Sequence, residues 1–337
     1  MAVFILKRLF MMAAPMVVAS ALLFALMEFT PGNVASKTLG PYATQEQKDI
    51  LYEKLQLNDP LLVRYFRWVG VLAGVMQDPL QDPELKLGFE DPRGDQYFGN
   101  FGYSAKYKLP VNDVMWRKLG NTLTLAGIAF GIIVPLSLIF GVLSGMREGS
   151  LLDRALSYTG ITLTSVPEFA SAVFLIAIFV LWLGWLPGTA NMQFFDQWSW
   201  ASQMVLPVAV LVLYDFGYVA RMVRGSMVEV MTRPYIRTAI LKGLPYRTVI
   251  MKHALRNALI APFTVILLQI PFLITGVVVT ETVFGYPGFG RMLLESASFG
   301  DVTMVEAATL IAVFIAVATQ LLGDIGYMYI NPRIRFT

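Results

Sequence analysis

Apolar residues in this chain gather into long unbroken runs, and polar residues into the segments between them. A helix that crosses a bilayer needs about 20 largely apolar residues. Six stretches reach that length: residues 9–29, 119–146, 158–183, 204–223, 258–280 and 302–329. Ala19-Ser20-Ala21 has the small-residue form of a signal-peptide cleavage site, but the spans that follow call for an N-terminal anchor, so the first stretch is read as a span. The pattern predicts an all-α membrane protein of six transmembrane helices. Its parts are an N-terminal tail and first span (1–30), a long extracytoplasmic segment (31–118) and a five-helix core (119–337).

The segment 31–118 is broken by turn signals at Pro79, Asp82-Pro83, Asp91-Pro92 and Gly94. Two short helices are readable in it. Thr44-Gln45-Glu46-Gln47 has the form of a capping box and leads into Ile50, Leu51 and Leu55. Asp59-Pro60 reads as a cap with proline at the first helical position. Leu62, Tyr65, Phe66, Val69, Leu72, Ala73 and Met76 then share one face, with Arg64 and Arg67 off it. Those arginines favour a helix lying on the membrane surface over a seventh span.

Composition agrees with the pattern. The chain of 337 residues has 56% hydrophobic and 15% charged residues and a mean hydropathy of +0.61. A soluble domain carries about 25% charged residues. The absence of cysteine excludes disulfides and thiolate metal sites, and the single histidine argues against His-ligated metals. No metal site and no nucleic-acid partner are expected; membrane lipids are.

The net charge of +3 matters less than its placement, because Lys and Arg in short loops mark the cytoplasmic side. Lys7 and Arg8 precede the first span, Arg147 and Arg154 flank the turn between the second and third, and Arg333 and Arg335 follow the last. The connection between the fourth and fifth spans carries Arg221, Arg224, Arg233, Arg237, Lys242, Arg247, Lys252 and Arg256 against the lone acid Glu229. Residues 184–203 hold no Lys or Arg, and residues 282–301 only Arg291. Both termini are therefore expected in the cytoplasm, as six spans require.

Within that basic connection the residues from Arg233 to Pro262 predict a helix over 235–242, a stop at Gly243 and a restart at Leu244-Pro245. Ile240, Leu241, Leu244, Val249, Ile250 and Leu255 are too many apolar residues for a purely solvated loop. The pattern alone allows two readings: an anchor that only fixes orientation, or a docking element.

Here the sequence resembles a family, the ABC importer permeases of the dipeptide, oligopeptide and nickel type. Its coupling signature stands as Tyr235, Arg237-Thr238-Ala239, Lys242-Gly243-Leu244 and His253-Ala254-Leu255-Arg256-Asn257-Ala258-Leu259, with Pro262 one place late. Other shared motifs are Leu57-Asn58-Asp59-Pro60, Phe101-Gly102-Tyr103-Ser104, Leu109-Pro110-Val111, Gly149-Ser150 with Asp153, and Ser165-Val166-Pro167-Glu168-Phe169. Leu183-Gly184-Trp185-Leu186-Pro187, Glu281-Thr282-Val283-Phe284, Pro287-Gly288-Phe289-Gly290 and Asp324-Ile325-Gly326-Tyr327 follow. Departures include Ile240-Leu241 in place of smaller residues, Pro31-Gly32-Asn33 and Asn331-Pro332-Arg333.

The resemblance implies the type I importer permease fold, with residues 221–257 as the coupling loop. It implies that Ala239, Gly243, Leu244 and Leu255 pack into an ATPase partner, and that Lys242, Arg247 and Arg256 tune the contact, with Arg237 and Thr238 in the same signature. His253 is read as a structural or interface residue. The implied partners are a second homologous permease, two P-loop ATPase subunits and an extracytoplasmic solute-binding protein. ATP and Mg would bind on the ATPases, and this chain would carry no cofactor. The implied location is the bacterial inner membrane, and the solute classes are peptides or similarly sized molecules such as oligosaccharides.

Glu168, Asp215, Glu281 and Asp324 lie in or at the edges of spans, where ionised carboxylates are costly and often functional. Glu281 and Asp324 are read as structural. Asp215, in Tyr214-Asp215-Phe216-Gly217-Tyr218, is read either as a cavity-lining acceptor, with Tyr214, Tyr218 and Glu168, or as a buried carboxylate bonded to a neighbouring helix. No G-x-x-x-x-G-K-[ST] occurs, so the chain lacks a P-loop of its own. A gradient-driven transporter using Asp215 or Glu168 is the first rival, although no internal repeat is visible. An intramembrane enzyme is the second, but Ser165 and Ser171 have no histidine base in their span.

Overall fold

Four helices are long and apolar enough to cross a membrane, and a fifth span is formed if one sharply bent helix pair is counted as one. The first helix contributes a shorter apolar stretch, Ala13–Met27, and the expected six is reached only when it is included. The computed structural model describes residues 2–29, 44–54, 56, 58–78, 96–191 and 198–330. The sequence readings at Pro31-Gly32-Asn33, Leu55, Leu57, Pro79, Asp82-Pro83, Asp91-Pro92, Gly94 and residues 331–335 lie outside them. The chain divides into two units, residues 1–121 with 288–315 and residues 122–287 with 316–337.

In the first unit, helix α1 (Ala2–Phe29) packs on α3 (Leu61–Leu72). The Phe24 and Tyr65 rings meet edge-on at 5.6 Å, and Ser20 shares a 3.1 Å hydrogen bond with the Tyr65 hydroxyl. Helix α2 (Gln45–Lys54) begins with the predicted capping box. The Gln47 amide donates to Thr44 Oγ1 and the Thr44 amide to Gln47 Oε1.

The reading of α3 needs correction. Pro60, not Asp59, is its N-cap residue and provides no side-chain cap, while Asp59 is ion-paired to Arg67. Its buried residues are Trp68 and Val71. Tyr65, which meets α1, was on the predicted apolar face, whereas Trp68 and Val71 were not, and Leu62 and Phe66 of that face are 66% and 65% exposed.

The same unit is tied together by a short antiparallel hairpin, β1 (Tyr103–Ser104) and β2 (Leu109–Pro110), with Tyr103 opposite Pro110. Gly102 lies before it at φ +86, and a Cβ there would stand 2.5 Å from Asp78 Oδ2 and 2.9 Å from Thr303 Cγ2. Both the backbone and the space require glycine. The Tyr103 amide donates to Asp78 Oδ2 at 2.6 Å. Asp301, fully buried, accepts from Ser104 Oγ, the Lys106 amide and the Met304 amide. It thereby caps helix α14 (Val302–Ile330).

Beside this junction lies α13 (Phe289–Phe299). Its Glu295 receives Lys106 Nζ and Arg291 Nε, each at 2.7 Å, and the Tyr107 hydroxyl at 3.2 Å. Burial alone would raise the Glu295 carboxyl, but Lys106 and Arg291 outweigh it and hold it below the usual glutamate range. Tyr107 is pushed up by burial and by the Glu295 charge.

In the second unit, helix α4 (Val111–Met146, entering from residue 122) packs with α7 (Trp200–Met231) around Leu125, Ala129, Ile133, Leu206, Val210 and Leu211. The third span is not one helix. It comprises α5 (Leu151–Ser165) and α6 (Glu168–Ile176), which runs on through a wider turn to Trp182, with a bend of 94°. Val166 is extended at the break and Pro167 opens the second half. Proline has no amide to donate and disfavours helical geometry in the residue before it, which explains the corner.

Two other boundaries also moved. The fourth span continues to Met231, so Arg221, Arg224 and Glu229 ride on a helix and not on a loop. The fifth is interrupted at Gly276-Val277, between α11 (Ile260–Thr275) and α12 (Val278–Val283). Helices α5 and α7 approach closely where glycine faces glycine. A Cβ on Gly217 would lie 2.2 Å from the Gly160 carbonyl oxygen.

Candidate functional site

The basic connection folds into two short arms. Pro234 opens α8 (Pro234–Leu241), since its missing amide has no partner to lose in a first turn. The helix ends at Lys242, and Gly243 turns with φ +73. Pro245 starts the second arm as the N-cap of α9 (Tyr246–Thr248). A π turn over Val249–Ala254 then leads into α10 (Leu255–Ala258). The predicted helix, stop and restart are all present.

What holds the bracket is a small apolar core. Met227 and Val230 of α7, Ile236 and Ala239 of α8, and Val249, Ile250, Ala254 and Ala258 of the second arm form one buried cluster. Three hydrogen bonds fasten its edges. Asn257 Nδ2 donates to the Tyr235 hydroxyl at 3.0 Å and to the His253 carbonyl at 3.2 Å. Ser226 Oγ on α7 donates to the Ala258 carbonyl at 2.6 Å. A short segment with so few main-chain bonds of its own becomes stiff by packing on a long helix.

This core corrects one expected contact. Ala239 is only 6% exposed and is turned into the cluster, so it packs this chain and not a partner. Leu255 is half-buried and lines a groove beside the end of α4. Leu244, Gly243 and Lys242 are exposed, as are Arg237, Thr238, Arg247 and Arg256. The Thr238 hydroxyl donates back to the Pro234 carbonyl. Leu241 is 78% exposed and Ile240 49%, an outward apolar pair at the tip. His253 is half-buried, with its carbonyl accepting from Asn257.

The cations divide in a way that counting charges missed. Arg224 makes a two-pronged pair with Asp153, Nε to Oδ1 at 2.6 Å and Nη2 to Oδ2 at 2.8 Å. Asp153 also accepts from the Ser144 hydroxyl, the Gly149 amide and Ser157. Its own amide donates to Ser150, the N-cap of α5. Arg233 pairs with Glu229 one turn away. Arg237, Lys242, Arg247, Lys252 and Arg256 have no ion-pair partner among the described residues. The readable signal for the Arg224 clamp was the motif Gly149-Ser150 with Asp153.

The intramembrane carboxylates differ in their hydrogen-bond partners. Glu168 Oε1 accepts from the Thr280 amide at 3.1 Å and from the Thr280 hydroxyl, and Glu281 accepts from the Thr122 hydroxyl. Asp215 is 4% exposed, beside Gln269 of α11. Asp215 Oδ2 and Gln269 Nε2 meet no hydrogen-bond partner among the described residues. Tyr214 stacks on Phe272, whereas Tyr218 is 45% exposed. Glu306 escaped the sequence reading, although it is an acid inside the sixth span. It is fully buried, and both carboxylate oxygens are without a hydrogen bond among the described residues. No group of three potential metal ligands occurs among the described residues.

A bracket of this kind, carried on long apolar helices, can be matched to known chains. Residues 137–336 fit the model of the binding-protein-dependent transport system inner membrane component, and residues 1–126 fit the N-terminal model of the same transport systems. The chain belongs to that family. It is the permease component of a binding-protein-dependent ABC importer. A probable peptide ABC transporter permease of Sinorhizobium fredii is 32% identical over 337 residues, covering 100% of both chains. The oligopeptide transport permease AppB of Bacillus subtilis is 32% identical over 343 residues, again covering 100% of both. The dipeptide permease DppB of the same organism is 31% identical, covering 99% of this chain and 98% of its own.

Solved structures show the same fold. An amino acid ABC transporter matches 66% of this chain and 95% of its own with a TM-score of 0.51 at 14% identity. The MetNI methionine ABC transporter, inward-facing, matches 66% and 96% with a TM-score of 0.50 at 18% identity. The family's inner membrane component model, residues 137–336, takes in the bracket and the third to sixth spans.

Proposed function

We propose that this permease serves a peptide importer, and that the bracket Pro234–Ala258 is its docking element for an ATPase subunit. One observation carries the docking reading. A frame closed by Ile236, Ala239 and Ala254 presents the apolar tip Ile240–Leu241, with Arg237 and Lys242 beside it unpaired among the described residues. Exposed apolar groups ringed by free cations suit a protein cleft with an acidic rim. Leu244 and Arg256 extend the same face, and Gly243 sets its corner.

Peptide as the solute is supported by the names of relatives that match along their whole length. Oligosaccharide remains the second solute class. In this reading ATP and Mg are bound on the partner chains and this chain has no ATPase chemistry of its own. A second permease completes the pathway, and a binding protein delivers solute on the side of the extracytoplasmic segment. In this reading the bracket and both termini lie in the cytoplasm, which the placement of the positive residues supports. Helix α7, which carries Asp215, packs through Met227 and Val230 into the core of the bracket, so a push on the bracket reaches that span.

The test is reconstitution of the complex formed with the co-purifying ATPase. Peptide uptake into liposomes that requires ATP and the binding protein is the expected result. Uptake by this chain alone, driven by a proton or sodium gradient, would contradict it. Within the same assay, Asp215→Asn with unchanged affinity and rate removes Asp215 from the pathway.

A further inference from the structure

A groove of about 460 Å³ opens between the end of α4 and the second arm of the bracket. On the α4 side, Leu138, Val142 and Met146 follow one another at one-turn spacing. Ile250, Met251 and Leu255 face them. Arg247 is the one charged group in the lining, and Tyr246 stands next to it. Arg247 has no acidic partner among the described residues, and the exposed surface around it carries Lys252 and Arg256.

Apart from Arg247 and the Tyr246 hydroxyl, the lining of the groove is apolar. An extended hydrocarbon chain fits such a slot, and volumes of about 300–1,000 Å³ are those of amphiphile and ligand sites. An apolar slot with a single unpaired cation at its wall is complementary to a molecule with an anionic head and an apolar tail. In the orientation proposed above, the end of α4 and the bracket lie at the cytoplasmic interface, where anionic lipids attract basic segments.

We propose that this groove binds an anionic phospholipid of the cytoplasmic leaflet, with an acyl chain along the α4 stripe and its phosphate on Arg247. The inference rests on the membrane orientation given under the proposed function. The lipid would join the second span to the second arm of the bracket. Arg247 then serves the lipid, and Arg237 and Lys242 are left to the ATPase.

The experiment uses the full complex, purified in detergent after exchange through an equal mixture of phosphatidylglycerol and phosphatidylethanolamine. Retained lipid is counted by native mass spectrometry. Phosphatidylglycerol should be retained at least fivefold over phosphatidylethanolamine. Arg247→Gln should abolish that preference, whereas Lys252→Gln, which is outside the groove, should keep it. Leu143→Trp, from a wall position that is 43% exposed, should lower retention of lipid at this site. Met251→Trp repeats the test from the other wall at a position 60% exposed.

Equal retention of both lipids, or an unchanged preference in Arg247→Gln, overturns the proposal. So does a result in which both tryptophan variants keep the lipid and instead lose the ATPase or the second permease, since the groove is then a protein interface. The permease reading is judged separately, by whether the unmodified complex contains an ATPase at all.

Discussion

The hairpin junction around Gly102 and the bracket around Gly243 both turn on a glycine with positive φ, yet they are built from opposite materials. At the junction polar side chains face inward. Asp78 and Asp301 are buried, and their oxygens are used by backbone amides and by Ser104. At the bracket the interior is small and apolar, and five cations face outward with no partner among the described residues. Satisfied buried carboxylates fix one geometry, because any displacement strands a polar group. Unpaired surface cations cost little and stay available. The first arrangement suits a fixed structural joint, the second a surface meant for another chain.

The sharpest way to break this contrast is at the junction glycine. Gly102→Val adds a strained backbone and a clash with Asp78 and Thr303. It should cost about 3 kcal/mol or more, read as loss of folded, monodisperse protein on heating in detergent. Next in size is Arg224→Ala. It leaves Asp153 buried and unpaired, a loss of about 3–5 kcal/mol, and a melt of the purified chain should show it. Asp153→Asn combined with Arg224→Ala should recover part of that loss.

At the bracket the ordering reverses, with function falling and stability unmoved. Leu241→Asp with Lys242→Glu should change stability by no more than about 0.5 kcal/mol, as for surface positions. The amount of ATPase that co-purifies should nevertheless fall by about tenfold. A comparable loss of stability would mean that the tip belongs to the core of this chain.

The smallest effect concerns pH. The Glu295 carboxyl is held below its ordinary value in the folded protein. Its contribution is therefore present above the unfolded value of about 4.3 and is lost as pH falls through the folded one. Glu295 is about a third exposed, and screening limits the effect to about 1 kcal/mol. Acid melting curves of Glu295→Gln should be flatter than those of the parent by that amount.

Much of this contrast was readable in the residues, for reasons that differ between the two regions. Arg233-Pro234, Gly243 and Leu244-Pro245 punctuate the bracket locally, so its helix, corner and restart follow from backbone chemistry alone. The capping box at Thr44–Gln47 was legible for the same reason. Three things depended on tertiary contacts and were not. Whether Ala239 faced in or out was decided by Ile250 and Ala254, more than ten residues away. The burial of Trp68 and Val71 on α3 was not marked by the spacing of its apolar residues. The partner of Arg224 lay on another helix, so a count of loop charges included a residue that is already paired. Pro167 sat in plain view, yet its corner was lost inside an apolar run of span length.

The central claim is that the tip of the bracket meets another protein while its core does not. The chain has no cysteine, so single cysteines can be placed without background. Leu241→Cys and Ala239→Cys, each in the full complex, are treated with a bifunctional thiol–amine crosslinker. The account predicts a crosslink from position 241 to the ATPase subunit and none from position 239. Equal crosslinking from both, or none from 241 while the ATPase remains bound, would contradict it.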